Sequence, residues 1–149
     1  MNNLIFRYAE KSDYTDLKKL YKDIFDLEIS KKNYEKYLQD KTHTIILALC
    51  DEKICGSLCI ERVWDAFKDE TIFFLKNVGV AENWRRHGIC TKLFKVVREL
   101  AIKENIKSIE LTSADFRTEA HNFYLKQNFS KKKTTVFIWE NTYEGSQIR

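Results

Sequence analysis

The sequence predicts an α/β (or α+β) protein: a mixed β-sheet flanked by helices, built as a single domain over residues 1–149. Three observations predict it. Strand-like and helix-like segments follow the order βααβββαβαβ, in which the long helix after the fourth strand is a crossover to a parallel fifth strand. The composition is that of a folded chain, 44% hydrophobic and 13% aromatic. A length of 149 residues is that of one domain able to bury a real core.

Leu4 to Tyr8 reads as the first strand. Ser12 or Asp13 can cap a first helix whose inward face is Leu17, Leu20, Tyr21, Ile24 and Phe25, at helical spacing. Ser30 caps a second helix carrying Tyr34, Tyr37 and Leu38. Thr44–Cys50 and Ile54–Val63 form a hairpin across Asp51-Glu52-Lys53, and a loop from Trp64 to Glu70 leads into a fourth strand, Thr71–Val80. The central helix presents Ile89, Leu93, Val96, Val97, Leu100 and Ala101 along one face. Ser108–Ser113 is the fifth strand, Glu119–Gln127 a short helix and Thr134–Trp139 the last strand, and the polar tail 141–149 is expected to be loose.

Several classes are disfavoured. No apolar run approaches the ~20 residues of a membrane span. Met1 to Tyr8 lacks the basic and apolar regions of a signal peptide. A cytoplasmic protein without membrane contact is expected. The net charge of +4 is mixed with acids everywhere except at Lys131-Lys132-Lys133 and Arg85-Arg86, so the lysine run is expected to be a solvated loop and no nucleic-acid partner is implied. The cysteines at 50, 55, 59 and 90 contain no Cys-x-x-Cys pair and have no histidine at ligand spacing. Cys55 and Cys59 are an even number apart and would share one strand face. A zinc site or disulfide stays open, but reduced, half-buried thiols are the expected state, with no metal required.

Val78 to Phe94 reads as strand, basic turn and helix. That arrangement is an anion site for separate reasons. First-turn amides have no intrahelical partner, and the helix dipole puts partial positive charge at the same end. Gly88 lacks a Cβ and lets a phosphate approach the backbone, while Arg85 and Arg86 offer charge-assisted hydrogen bonds. Gly79, inside an apolar strand, points to a bulge or a close backbone approach.

Arg85-Arg86-His87-Gly88-Ile89-Cys90 resembles the R/Q-x-x-G-x-G/A loop of the GNAT superfamily of acetyl-CoA-dependent N-acetyltransferases. Val80-Ala81-Glu82-Asn83-Trp84 is similar to the family's V-x-P-E-x lead-in without its proline. Arg117 to Tyr124, followed by Asn128-Phe129, resembles the second signature, N-x-x-A-x-x-x-Y then G-F, with Arg117 where Asn is usual. Both blocks lie in family order, and the resemblance covers nearly the whole chain. It implies a sheet splayed between the fourth and fifth strands, where the pantetheine arm of acetyl-CoA inserts. It further implies that backbone groups of Val78, Gly79 and Val80 bind the pantetheine amides. The amides of Arg86, His87, Gly88, Ile89, Cys90 and Thr91 would hold the pyrophosphate, with Arg85 and Arg86 side chains assisting. Cys90 replaces a small Gly or Ala and is close to a methyl in size. Arg117 would contact cofactor, at a phosphate in place of the pantetheine.

Acetyl transfer to an amine expels a thiolate, and a nearby phenol can protonate it. The resemblance gives that role to Tyr124, with Phe123 and Phe129 as core. A backbone N–H at the fourth strand would polarise the thioester carbonyl. No general base is assigned. Thr112 stands where some members have Glu, and Asn77 lies three residues before Val80. Glu61, Glu70 and Glu110 are unassigned carboxylates, and a water chain would serve equally. The acceptor site is expected between Phe25–Asn33 and Ser130–Thr135, where Asp23, Asp26 and Glu28 oppose Lys131–Lys133 in sign. The implied protein is a metal-free N-acetyltransferase, monomeric or homodimeric, moving acetyl from acetyl-CoA to a primary amine by direct attack. A small-molecule amine is favoured. A protein or peptide amine is the alternative, as is a non-catalytic acyl-CoA-binding module.

Overall fold

The computed structural model describes residues 3–142. Five strands, β1 (Leu4–Tyr8), β2 (His43–Cys50), β3 (Lys53–Asp65), β4 (Glu70–Val80) and β5 (Ile109–Glu110), form one sheet in the order β1-β2-β3-β4-β5. The first four are antiparallel neighbours, and β5 lies parallel to β4. Helices α1 (Tyr14–Phe25) and α2 (Lys31–Gln39) pack on one face of this sheet. The crossover helix α3 (Ile89–Lys103) packs on the other, and α4 (Thr118–Lys126) follows β5.

The two faces bury different side chains because strand residues alternate. Ile46, Leu58, Ile60, Phe73 and Leu75 meet Ile89, Leu93, Phe94 and Val97 of α3. Ile45, Leu47, Leu49 and Cys59 meet Leu17, Leu20 and Tyr21 of α1 and Tyr34 of α2. Ser30 caps α2 by accepting the Asn33 amide at 3.1 Å. Asp13 occupies the cap position of α1, but its carboxylate turns instead to the Arg7 guanidinium, at 2.7 and 2.8 Å, and to the Glu10 amide at 2.8 Å. It ties β1 to the start of α1.

The β2–β3 hairpin turns through Asp51 and Glu52 alone, both at positive φ (50° and 68°). Two positive-φ residues fit the right-handed twist of the flanking strands, although neither residue here is the usual Asn or Gly.

Two bulges reset the alternation. Ala48 pairs with Gly56 and Leu49 with Ile54, so Cys55 is an extra residue in β3. Cys55 therefore joins the α3-side core and Cys59 the α1-side core, and the expectation of a shared face is corrected. The thiols of Cys50, Cys55 and Cys59 are free and fully buried, and that of Cys90 is half-buried. In β4, Gly79 pairs with Ser57 but Lys76 with Cys59, so an extra residue lies at Asn77–Val78, and Asn77 takes φ 49°.

Two sequence expectations are corrected at the far edge. The fifth strand spans only Ile109–Glu110, within the expected Ser108–Ser113. Thr134–Trp139 forms no strand and stands in solvent. β-propensity alone does not order a segment that has no hydrogen-bonding neighbour. Of the expected loose tail, only residues 141 and 142 lie within the described residues.

Candidate active site

Among the described residues, β4 and β5 pair at Phe73–Ile109 and Phe74–Glu110, after which β4 runs on to Val80 with no strand paired on that side. The sheet is therefore split along β4 from Leu75 onward. The Ala81 amide donates to Cys55 O at 2.8 Å, toward β3. Peptide groups alternate in an antiparallel pair, so the N–H and C=O of Val80 face the split. The Val80 carbonyl is found there accepting from Arg85 Nε at 3.2 Å.

The split opens beside the start of α3. Gly88 occupies the cap position of that helix with φ 74° and ψ 10°, and no side chain caps it. Arg86 is also left-handed, at φ 62°. Lys92 is the first amide to find a helical acceptor, at Gly88 O over 3.1 Å, so those of Ile89, Cys90 and Thr91 point outward. A Cβ built on Gly88 would meet nothing within 4 Å. The backbone conformation, not a neighbouring atom, requires glycine here, and the space before it is open. Left-handed residues beside free amides make a concavity suited to an anion. His87 braces it: Nδ1 lies 3.1 Å from Trp84 O and 2.8 Å from Arg85 O. Both partners are carbonyls, so Nδ1 carries the proton.

Tyr124 is set against this end of α3 by an aromatic cluster. Phe94 of α3 lies 5.5, 5.9 and 5.6 Å, ring to ring, from Phe123, Tyr124 and Phe129. Phe123 and Phe129 are packing residues, as read from the sequence. The Phe129 amide donates to Tyr124 O at 3.0 Å, closing the turn after α4. Gln127 bonds Arg98 and Thr91 side chains, locking the two helices together. Burial pushes the Tyr124 phenol above its ordinary value, opposed by the nearby Arg117 charge. The phenol therefore stays protonated at neutral pH. Burial also pushes the neighbouring Cys90 thiol up to about 11, which leaves it a poor nucleophile. Arg117 sits exposed at the cap position of α4.

The bulge in β4 rests on a polar cluster that sequence periodicity did not disclose. Tyr21 Oη lies 3.2 Å from both Ser57 Oγ and Cys59 Sγ, and the side chains of Tyr37 and Asn77 also reach that sulfur. These residues are scattered over the chain and share no spacing signal. Gly79 approaches α1: a Cβ there would lie 2.7 Å from Phe25 Cζ and 3.0 Å from Ile24 Cγ2. The end of α1 is thereby drawn in against the split.

Each unassigned carboxylate already holds a cation. Glu61 pairs with Lys76 at 2.9 Å and lies 3.6 Å from His43 Nε2. Glu70 pairs with Lys107 at 3.4 Å, and Glu110 with Lys132 at 2.8 Å. His43 Nδ1 is 3.2 Å from Asp40 Oδ2, but is not aligned to hydrogen-bond it. Near the end of α1, Asp26 and Glu28 share Lys22 and Asp23 takes Lys19. Among the described residues, no cluster of three or more His, Cys, Asp or Glu is arranged to hold a metal ion, and no helix is long and apolar enough to cross a membrane.

A parted sheet edge, the outward-facing first-turn amides of α3 and the Tyr124 phenol thus meet at one end of the molecule. The chain is a member of the acetyltransferase (GNAT) family, whose pattern it matches over residues 14–129. It is 26% identical over 116 residues to L-ornithine N5-acetyltransferase NATA1 of Arabidopsis thaliana, covering 78% of this chain and 47% of that protein. It is 27% identical over 117 residues to the probable N-acetyltransferase camello of Xenopus tropicalis, covering 78% and 49%. The chain thus spans about half the length of these two relatives. Streptothricin acetyltransferase A of Bacillus subtilis (strain 168) is 20% identical over 146 residues, covering 98% of this chain and 78% of that protein. Among solved structures, the fold is shared with an aminoglycoside acetyltransferase, meta-AAC0020, from an uncultured soil metagenomic sample, at a TM-score of 0.83 and 17% identity over 95% of this chain and 98% of that one. It is shared equally with AAC(6')-Iy in complex with a CoA bisubstrate analogue, at a TM-score of 0.83 and 14% identity over 94% and 99% of the two chains.

Proposed function

We propose that this protein is an N-acetyltransferase that moves the acetyl group of acetyl-CoA to a primary amine of a small molecule. The observation that carries the reading is the open, left-handed Gly88 turn at the mouth of the split between β4 and β5. Pyrophosphate oxygens would meet the amides from Arg86 to Thr91, and the pantetheine arm would lie along the free edge at Val78, Gly79 and Val80. The amine attacks the thioester carbonyl directly, a tetrahedral intermediate forms, and the carbon–sulfur bond breaks. Tyr124 supplies the proton to the departing sulfur, the nitrogen gives up its proton to a water chain, and the phenolate is reprotonated from solvent. With the Cys90 thiol held protonated, no acyl-cysteine step is needed. The relatives that carry ornithine, streptothricin and aminoglycosides in their names are the basis for preferring a small amine.

A second reading, an acyl-CoA-binding module without turnover, draws on Glu61, Glu70 and Glu110 all being engaged by cations. One experiment separates the two. Acetyl-CoA, with ATP as the phosphate control, is tested for a rise in Tm, and thiol release is then followed with ornithine and aminoglycoside acceptors. A ligand at about 100 times its Kd stabilises the fold by roughly 2.7 kcal/mol, a shift of several degrees. A shift with thiol release supports the enzyme, and a shift with no release on any amine supports the module. No shift removes both.

A further inference from the structure

We propose that Asn77 receives the acceptor amine, its side-chain oxygen accepting a hydrogen bond from the attacking nitrogen. The inference rests on the acetyltransferase reading above. The backbone narrows what Asn77 is for. It lies in the bulge of β4, across from Leu58, at φ 49°. Glycine adopts that conformation freely, and asparagine and aspartate tolerate it better than other residues do. A glycine would therefore satisfy the turn. The Asn77 side chain is exposed, so core packing does not call for an amide either.

What the amide touches is Cys59. That thiol is buried against α1 and α2, with Tyr21 Oη 3.2 Å from its sulfur. Burial pushes the thiol's pKa up, and the contacts from Tyr21, Tyr37 and Asn77 oppose that rise, which is the effect of hydrogen-bond donors. An amide donates only through its nitrogen. Nδ2 of Asn77 is therefore turned in to the sulfur, and Oδ1 is turned out to water. A side-chain amide pinned at one end presents a hydrogen-bond acceptor with a fixed aim, and an amine nitrogen carries the protons to meet it.

Asn77 also stands on the face from which an amine must come. Val78 and Val80 pack against the α3-side core, as does Tyr124, the acid for the leaving sulfur. That leaves the α1 face of β4 for the nucleophile. There Gly79 carries no side chain and the Phe25 ring lies close over it. Asn77 is two positions before Gly79, about 7 Å along the strand, and its side chain reaches the α1-side Cys59. An amide oxygen takes up no proton near neutral pH. Asn77 thus holds and aims the nitrogen, while the proton leaves through water.

Steady-state kinetics on the full chain test this, following thiol release with ornithine and with sisomicin and continuing with whichever the wild type uses faster. Asn77→Gly keeps the left-handed turn and removes only the amide. It should raise KM for the amine about 10-fold while KM for acetyl-CoA stays within about twofold. Asn77→Asp keeps an acceptor oxygen on the same stem and tolerates the same φ, so it should hold the amine's KM within about threefold of wild type. An asparagine that serves the turn alone would leave Asn77→Gly neutral, or would move both KM values together. Either result overturns the proposal, as does an aspartate variant impaired as badly as the glycine one. A wild type that releases no thiol with either amine removes the acetyltransferase reading and this inference with it, an outcome distinct from an active enzyme indifferent to position 77.

Discussion

Arg85 Nε donates to the carbonyl oxygen of Val80 across 3.2 Å, tying the basic turn to the free edge of β4. The two groups belong to different halves of the proposed cofactor site, one for pyrophosphate and one for pantetheine. Arg85 thus fixes the spacing between them as well as adding charge. Arg85→Ala should weaken acetyl-CoA binding about 10-fold, or ~1.4 kcal/mol, and Arg85→Lys should recover part of that, because lysine keeps the charge but loses the fork. Calorimetric titration of the three proteins decides; equal affinities would take Arg85 out of the site.

Tyr124→Phe should lower kcat about 100-fold and leave the Kd for acetyl-CoA within about twofold, since the ring packing on Phe94 survives while the proton donor goes. Burial raises the phenol's pKa, so the acid form persists into alkaline solution. Any fall in kcat caused by Tyr124 ionising should therefore come above about pH 10, where a free phenol titrates, and be missing in the variant. Unchanged turnover on a verified acceptor would reduce Tyr124 to packing.

Gly79→Ala should destabilise the protein by about 1–3 kcal/mol, because the new methyl meets the Phe25 ring and Ile24. The ring belongs to the end of α1, so the same change should also raise KM for the amine more than for acetyl-CoA. Phe25→Leu in the same chain should restore much of the lost stability. Urea unfolding of the single and double variants measures the coupling, and strictly additive losses would mean that the two residues do not touch.

The Arg7–Asp13 pair predicts a pH dependence. Hydrogen bonds from Arg7 hold the Asp13 carboxyl below its usual range. A depressed carboxyl pKa contributes stability above the unfolded-state value, about 3.9, and that contribution fades as pH falls through the lower folded value. Asp13→Asn should therefore cost about 1–2 kcal/mol near neutrality, an allowance made for the 34% of the Arg7 side chain left in water. The gap should close as pH falls below the unfolded-state value and through the lower folded one. A gap that stays constant over that range would mean the charge contributes nothing.

The sequence made the central helix, the Gly88 turn and the Gly79 irregularity legible because each depends on local chemistry. An amphipathic stripe, a basic turn and a glycine inside a strand can all be read without knowing what lies across the sheet. The side of the strand on which Cys59 falls could not be read that way. It depends on one extra residue at Cys55, and counting in twos carries no warning of that. The Tyr21–Ser57–Cys59 cluster was hidden for a related reason, as its members meet only once α1 and β3 are packed. Thr134–Trp139 has strand composition, yet composition cannot supply the neighbour that a strand needs. The role of Tyr124 came from resemblance, since a helical aromatic is ordinarily core.

Among the described residues no strand pairs with β4 from Leu75 to Val80 on the β5 side, so this edge lies inside the body of the protein and not at its rim. Such an edge reads a ligand as another strand would, by the spacing of its amides, and is nearly indifferent to which side chains the strand carries. On the proposed reading, pantetheine, a short chain with amide groups, would pair with that edge much as a peptide would. Exchanges among valine, isoleucine and leucine at Val78 and Val80 should therefore pass almost unnoticed by the cofactor, while a proline at Val80 would erase a donor that no side chain could replace.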